Sequence, residues 1–317
     1  MFSIDSSLKH GFDLTVLRDD SNQTFVEIIP ACGAILHGFT VLHEGLPLNI
    51  VAHYPNKSMF DTAVESGGFK SAKLSPFVCR MKNGVYRFAE KEYKSAGFYL
   101  GDHAIHGLIY KQAFDITEQG ADAHKAFVQM TYPYRKLDTG YPFDYDCVVT
   151  YELRANNQLH ISTTIINKDA GRIPVADGWH PYFTFGGSIN DCMLEFQSTA
   201  QLEFDAALLP TGEQHPYETF GSLRQIGDQF FDNCFVVNFA ECQPMLVFRD
   251  PSKKVQLEIR PDKTYPYLQI YTPPHRNSIA IENLSAAPDA FNNGMGLITL
   301  AAGESAHFST QYNIHSL

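Results

Sequence analysis

Positive charge is scarce in this chain: 24 Lys and Arg stand against 35 Asp and Glu, a formal charge of −11 over 317 residues. Nucleic acid and anionic membrane surfaces reward clustered cations. No long basic block occurs, so neither is expected as a partner. Long apolar runs are also missing, and none approaches the roughly 18–20 residues of a transmembrane helix. The opening residues Met1-Phe2-Ser3-Ile4-Asp5 lack the basic and apolar regions of a signal peptide, and a cytoplasmic location is the expectation. Six cysteines are scattered at positions 32, 79, 147, 192, 234 and 242, with no C-x-x-C pair. That excludes a zinc ribbon and a thioredoxin-like site and leaves buried, reduced thiols as the expectation. A Walker A sequence, a G-x-S-x-G elbow and an EF-hand loop are all absent. Gly294-Met295-Gly296 lacks the third glycine of a dinucleotide-binding turn.

Helical periodicity is scarce as well; no i, i+3, i+4, i+7 pattern lasts beyond two or three turns. What is present is strand. Lys254–Arg260 alternates polar and apolar strictly, as a strand with one wet face does. The stretches 126–132, 147–153, 159–167, 193–197, 245–249, 267–271 and 278–282 carry β-branched and aromatic enrichment. Gly, Pro, Asn and Asp punctuate them, and Ala155-Asn156-Asn157-Gln158 reads as a hairpin turn. Strands do not alternate with helices, which excludes a doubly wound sheet. Hydrophobic content of 44% supports a large core. The expectation is an all-β protein, a large antiparallel β-sandwich, with residues 1–317 forming a single domain whose long loops carry a site.

Asp177-Gly178-Trp179-His180-Pro181-Tyr182-Phe183 is the most informative stretch. It sets His180 at the end of a strand-like run, walled by Trp179, Tyr182 and Phe183. Histidine changes charge near neutral pH and suits proton transfer. Aromatic faces suit the C–H faces of a sugar, and polar neighbours select its hydroxyls. In Ile279-Ala280-Ile281-Glu282-Asn283, the Glu282 carboxylate emerges where an apolar strand gives way to a turn. It is either a partly desolvated base with a raised pKa or a solvated edge residue capping the next loop.

Other polar residues stand in similar settings. His103 and His106 are three apart, with no third metal ligand at a recognised spacing. His106 before Gly107 is instead a candidate donor to a ligand held against bare backbone, and His103 a structural or surface residue. Arg80 follows the apolar run 75–79, so a fixed acceptor is expected for it: a protein carboxylate or a ligand hydroxyl. Asp232, between Phe231 and Phe235, reads locally as a turn-forming residue or as a carboxylate held among aromatics.

In order and spacing these segments resemble the aldose 1-epimerase (galactose mutarotase-like) family. The resemblance rests on Arg80 with Gly84, His106-Gly107, Tyr141-Pro142-Phe143, Trp179-His180-Pro181-Tyr182-Phe183, Asp232, Glu282 with Pro288–Asn292, and the closing Leu300–Ser305. It spans roughly residues 25 to 315. The resemblance implies two twisted antiparallel sheets and an isomerase interconverting the α and β anomers of a free hexose or hexose derivative. It implies His180 as the acid that protonates the ring oxygen O5 and Glu282 as the base that takes the C1 hydroxyl proton. Arg80, His106 and Asp232 would hold sugar hydroxyls. No cofactor or metal is implied, and the expected partner is a small-molecule sugar.

The chain departs from the galactose-active pattern in two places. Cys79 stands where an asparagine is usual, and Trp-His-Pro-Tyr-Phe replaces the usual Asn-His form. Glucose, galactose, and phosphorylated or otherwise modified hexoses stay open as substrates, as does the oligomeric state. The alternative reading is a non-catalytic carbohydrate-binding or regulatory protein of the same fold. A glycoside hydrolase using paired carboxylates such as Asp232 and Glu282 is a third.

Overall fold

The computed structural model describes residues 1–317, and the architecture is the expected all-β one of antiparallel sheets. Alternation decides most of it. In Lys125–Arg135 and Gln158–Asn167 every second side chain is buried, so each strand covers the core with one face and meets solvent with the other. These two flank Asp144–Arg154 in a nine-stranded sheet that continues through Ser305–Ser316, Val255–Pro261 and Leu246–Asp250. The turn between Arg154 and Gln158 forms as expected, with Asn156 and Asn157 at φ 61° and 54°, a region asparagine tolerates. A separate five-stranded sheet, Phe2–Lys9 through Leu46–Asn49, follows the chain in simple up-and-down order.

The site is carried by an eight-stranded sheet. Its order runs Pro210–Pro216, Ser198–Phe204, Asp232–Val237, Tyr267–Tyr271, Ile279–Leu284, Gly178–His180 and Ala72–Leu74, with Tyr182–Phe183 also pairing Ile279–Leu284. Ile279–Leu284 is buried at every position, so this central strand is covered on both faces. One hydrophobic cluster of 81 buried residues runs between the sheets. Helix is limited to Lys57–Ala63 and Ala290–Asn293, apart from short 3-10 turns.

Two local expectations change. The apolar run 75–79, expected as a strand, is not one: Pro76 offers no backbone N–H to a ladder, Ser75 makes only an isolated bridge to Gly107, and strand pairing begins at Arg80–Met81, with Ile105 and Ala104. Glu282 lies inside its strand rather than at the end, two residues before Leu284, and is fully buried.

Candidate active site

Three neighbouring strands deliver the central residues through their register. His180 ends Gly178–His180, Glu282 sits within Ile279–Leu284, and Gln269 lies directly opposite Glu282 on Tyr267–Tyr271. Tyr271 pairs with Asp232 on the next strand, so the Asp232 and Glu282 carboxylates converge from two strands of one sheet. Arg80 comes from a short strand of a separate three-stranded sheet, paired with His103–Ile105. His106 adopts φ 62° immediately before Gly107, and its backbone N–H donates to the Cys79 carbonyl oxygen at 3.0 Å. Gly107 is required there, since a Cβ would collide with the Ser75 backbone.

All five residues singled out from the sequence line one cavity of about 200 Å³: Arg80, His106, His180, Asp232 and Glu282. His180 Nε2 lies 3.3 Å from Glu282 Oε1. The His180 ring stacks on Tyr182 at 5.1 Å between centroids, with planes 16° apart, and meets His106 edge-on at 4.9 Å. Phe69 packs on the far side of His106 at 4.7 Å.

The aromatic wall differs from the expectation. Strand alternation turns Trp179 to the opposite face, where its ring meets Tyr151 and the Lys73 ammonium. Phe183 packs on Tyr312, away from the cavity. Tyr182 keeps its predicted place, joined by Phe69, Tyr271 and Phe204.

Asp232 begins a strand rather than forming a turn, and its Oδ1 accepts a hydrogen bond from Gln269 Nε2 at 2.9 Å. Gln269 went unrecognised in the sequence, because only the strand register sets it across from Glu282. The Arg80 side chain lines the cavity and acts on Asp232 through its charge, with no hydrogen bond or ion pair to the protein, so its donors are free for a ligand. His103 is structural, accepting from the Asn83 backbone N–H at 3.0 Å. Among the lysines that an anionic sugar would call for, Lys73 is wholly buried against Asp177 and Lys111 pairs with Glu65. The cation lining the cavity is Arg80.

Burial sets the electrostatics. It pushes the His180 pKa down to about 4. It drives Glu282 well above the ordinary carboxylate range, with the nearby Asp232 charge adding to the rise and Arg80 opposing it. Asp232 is raised by burial and held back by Arg80 and Gln269. Burial, then His180 and Arg80, lower His106 well below the ordinary imidazole value. Several polar atoms end with no protein partner: Glu282 Oε2, Gln269 Oε1, and Nδ1 of both His106 and His180. Such atoms are rare in native interiors, and a cluster of them at one cavity indicates a place for a ligand's polar groups.

The arrangement offers a donor and an acceptor 3.3 Å apart on a buried floor, one aromatic face, and a guanidinium and a second carboxylate for orientation. It can move a proton on and off two oxygens borne by a single carbon.

Comparison with known proteins gives the family and the fold. The sequence model of the family described as aldose 1-epimerase matches residues 16–313. An uncharacterised Escherichia coli K12 protein, YihR, is 26% identical over 243 residues, covering 73% of this chain and 74% of that protein. The maltose epimerase of Levilactobacillus brevis is 22% identical over 254 residues, covering 73% and 72%. A galactose mutarotase-like protein from Clostridium acetobutylicum superposes with a TM-score of 0.87 at 18% identity, over 100% of this chain and 99% of its own.

Proposed function

This chain belongs to the aldose 1-epimerase family, whose members are isomerases, and from that premise we propose that it interconverts the α and β anomers of a free hexose or hexose derivative. The observation that carries the reading is the His180 Nε2 to Glu282 Oε1 contact of 3.3 Å at the buried cavity floor. The hemiacetal carbon bears two oxygens, the ring O5 and the hydroxyl O1. A pair this close addresses both at once, which removes the entropic cost of assembling two catalysts.

The proton count closes on the pair itself. Glu282 takes the O1 proton while His180 gives one to O5, the C1–O5 bond breaks, and the aldehyde forms. Rotation about C1–C2 presents the other face, and the same transfers run backwards to close the second anomer. The pair holds one proton throughout, as imidazolium with carboxylate before opening and as imidazole with carboxylic acid after it. With no sugar bound, burial favours the second form, because it carries no charge. Sugar hydroxyls that fill the unpartnered acceptors lower the cost of the charged form. Arg80, Asp232 and His106 grip the hydroxyls of the ring, and Tyr182 offers it an apolar face. The single domain read over residues 1–317 supplies every one of these groups.

Polarimetry of freshly dissolved α-glucose, α-galactose and hexose phosphates tests the reading. Acceleration of the approach to anomeric equilibrium for at least one sugar is the expected result. Thermal stabilisation by sugars with no acceleration for any of them would instead make the protein a binding module. Release of reducing sugar from a glycoside would make it a hydrolase.

A further inference from the structure

His106, His180 and Glu282 each offer one donor atom, and these atoms all lie within 4.8 Å of one another. All three side chains are buried. We infer that a divalent transition-metal ion, Zn²⁺ or Co²⁺, is held by His106, His180 and Glu282 in competition with the sugar, and that its binding shuts the enzyme off.

Geometry argues first. Metal–ligand bonds of about 2.0–2.1 Å at tetrahedral angles put neighbouring donor atoms roughly 3.3–3.4 Å apart. His180 Nε2 and Glu282 Oε1 already stand at 3.3 Å. Closing His106 onto them from at most 4.8 Å is a movement of about 1.5 Å or less. Its ring is pressed between Phe69 and His180, with no hydrogen bond at Nδ1 to break.

Chemistry argues second. Two imidazoles and one carboxylate suit zinc, cobalt or nickel and disfavour magnesium and calcium, which take oxygen ligands. Imidazole must be neutral and the carboxyl ionised to bind a metal, so the incoming ion releases the Glu282 proton to solvent. Glu282 Oε2, unpartnered in the protein, is a second acceptor beside the same centre. The cavity leaves a fourth position for water. Arg80 opposes a cation here, and the Asp232 carboxylate offsets it.

Inhibition follows from the ligand set. A histidine and a glutamate whose donor atoms are bound to an ion can neither give nor take the sugar's protons. Binding needs only the three side chains, whereas inhibition rests on the proposed reaction, so the two are measured separately.

Chelator-treated protein is titrated with Co²⁺ while the visible d–d absorption of a low-coordinate ion is followed, and with Zn²⁺ by calorimetry. One ion per chain is expected, with excess reducing sugar weakening the apparent affinity. His106→Ala and Glu282→Gln, each shown folded by its thermal melt, are expected to lose at least the roughly 10–100-fold that even an outer-shell change brings. Absence of binding at millimolar ion, or equal binding by wild type and both variants, would overturn the site. Mutarotation in the presence of chelator reports on the reaction independently. A metal that binds as described and leaves that rate untouched would overturn the inhibition.

Discussion

Two buried ionisable pairs meet at the strand Gly178–His180, one through Asp177 just before it and one through His180 at its end, and they are built to opposite rules. Lys73 and Asp177 are both wholly buried, with Lys73 Nζ 2.6 Å from each carboxylate oxygen. The ammonium also donates to the Gly178 carbonyl oxygen at 3.2 Å and lies 4.4 Å from the Trp179 ring centroid. Tyr265 OH donates to Asp177 Oδ2 at 2.7 Å, and the Asp177 backbone N–H donates to Ser285 Oγ at 2.8 Å. His180 and Glu282 share a single contact of 3.3 Å and leave His180 Nδ1 and Glu282 Oε2 unpartnered beside a cavity. The first pair, in which Asp177 Oδ1 faces only the Lys73 ammonium, fastens the strand that ends in His180; the second opens its unpartnered atoms onto the cavity and keeps its capacity for something that arrives. Burial and charge alone do not separate structure from function. Unfilled hydrogen-bonding positions on residues that line a cavity do.

Breaking each pair sharpens the contrast. Lys73→Met strands an uncompensated Asp177 in the core, and denaturant unfolding is expected to show a loss of about 3–5 kcal/mol. Adding Asp177→Asn is expected to recover part of that, because the stranded charge goes with it. Glu282→Gln removes no satisfied partner, so its unfolding midpoint is expected to match wild type or exceed it, as is common when a functional group held at a stability cost is removed. A collapse of Glu282→Gln comparable to Lys73→Met would erase the distinction.

Smaller effects test the grip on the sugar. Arg80→Met removes donors that the protein itself does not use. Saturation kinetics are expected to show a loss in kcat/KM worth about 1.5–3 kcal/mol, carried mostly by KM, with stability unchanged. Gln269→Ala releases Asp232 from its 2.9 Å hydrogen bond and is expected to cost about 1 kcal/mol in kcat/KM.

The pH profile follows from a pair that must hold one proton. As pH falls through about 4, His180 gains a proton while Glu282 still holds its own, no base is left, and kcat/KM falls. As pH rises past the elevated Glu282 value the pair loses its last proton and the rate falls again. Both limbs belong to the coupled pair rather than to one residue. A rate that stays flat as pH falls through about 4 would contradict it.

Alternation and turn chemistry made most of the strands legible, because one buried face and one wet face leave a period of two in the sequence. Tyr267–Tyr271 appears with its expected bounds, and Lys125–Arg135 extends the expected 126–132 by one residue at its start and three at its end. The five site residues were legible as chemical types at strand ends and turns, and they meet at one cavity. Register was not legible. The pairing of Gln269 with Glu282, or of Lys73 with Trp179, joins positions far apart in the chain that carry no local signal. Trp179 was assigned to the wrong side of its strand for a related reason. Its neighbour His180 faces the cavity, so alternation sends Trp179 to Lys73.

The most direct test is the rate of α–β anomer exchange at equilibrium, read by NMR magnetisation transfer on a hexose that the wild type accepts, in wild type, His180→Ala and Glu282→Gln. Each variant is expected to lose roughly 10²–10⁴-fold of the enzymic rate, with the thermal midpoint of Glu282→Gln at or above that of wild type and His180→Ala, which loses a packed ring, still folded at the assay temperature. Exchange at the wild-type rate in both folded variants would contradict the assignment of the reaction to His180 and Glu282.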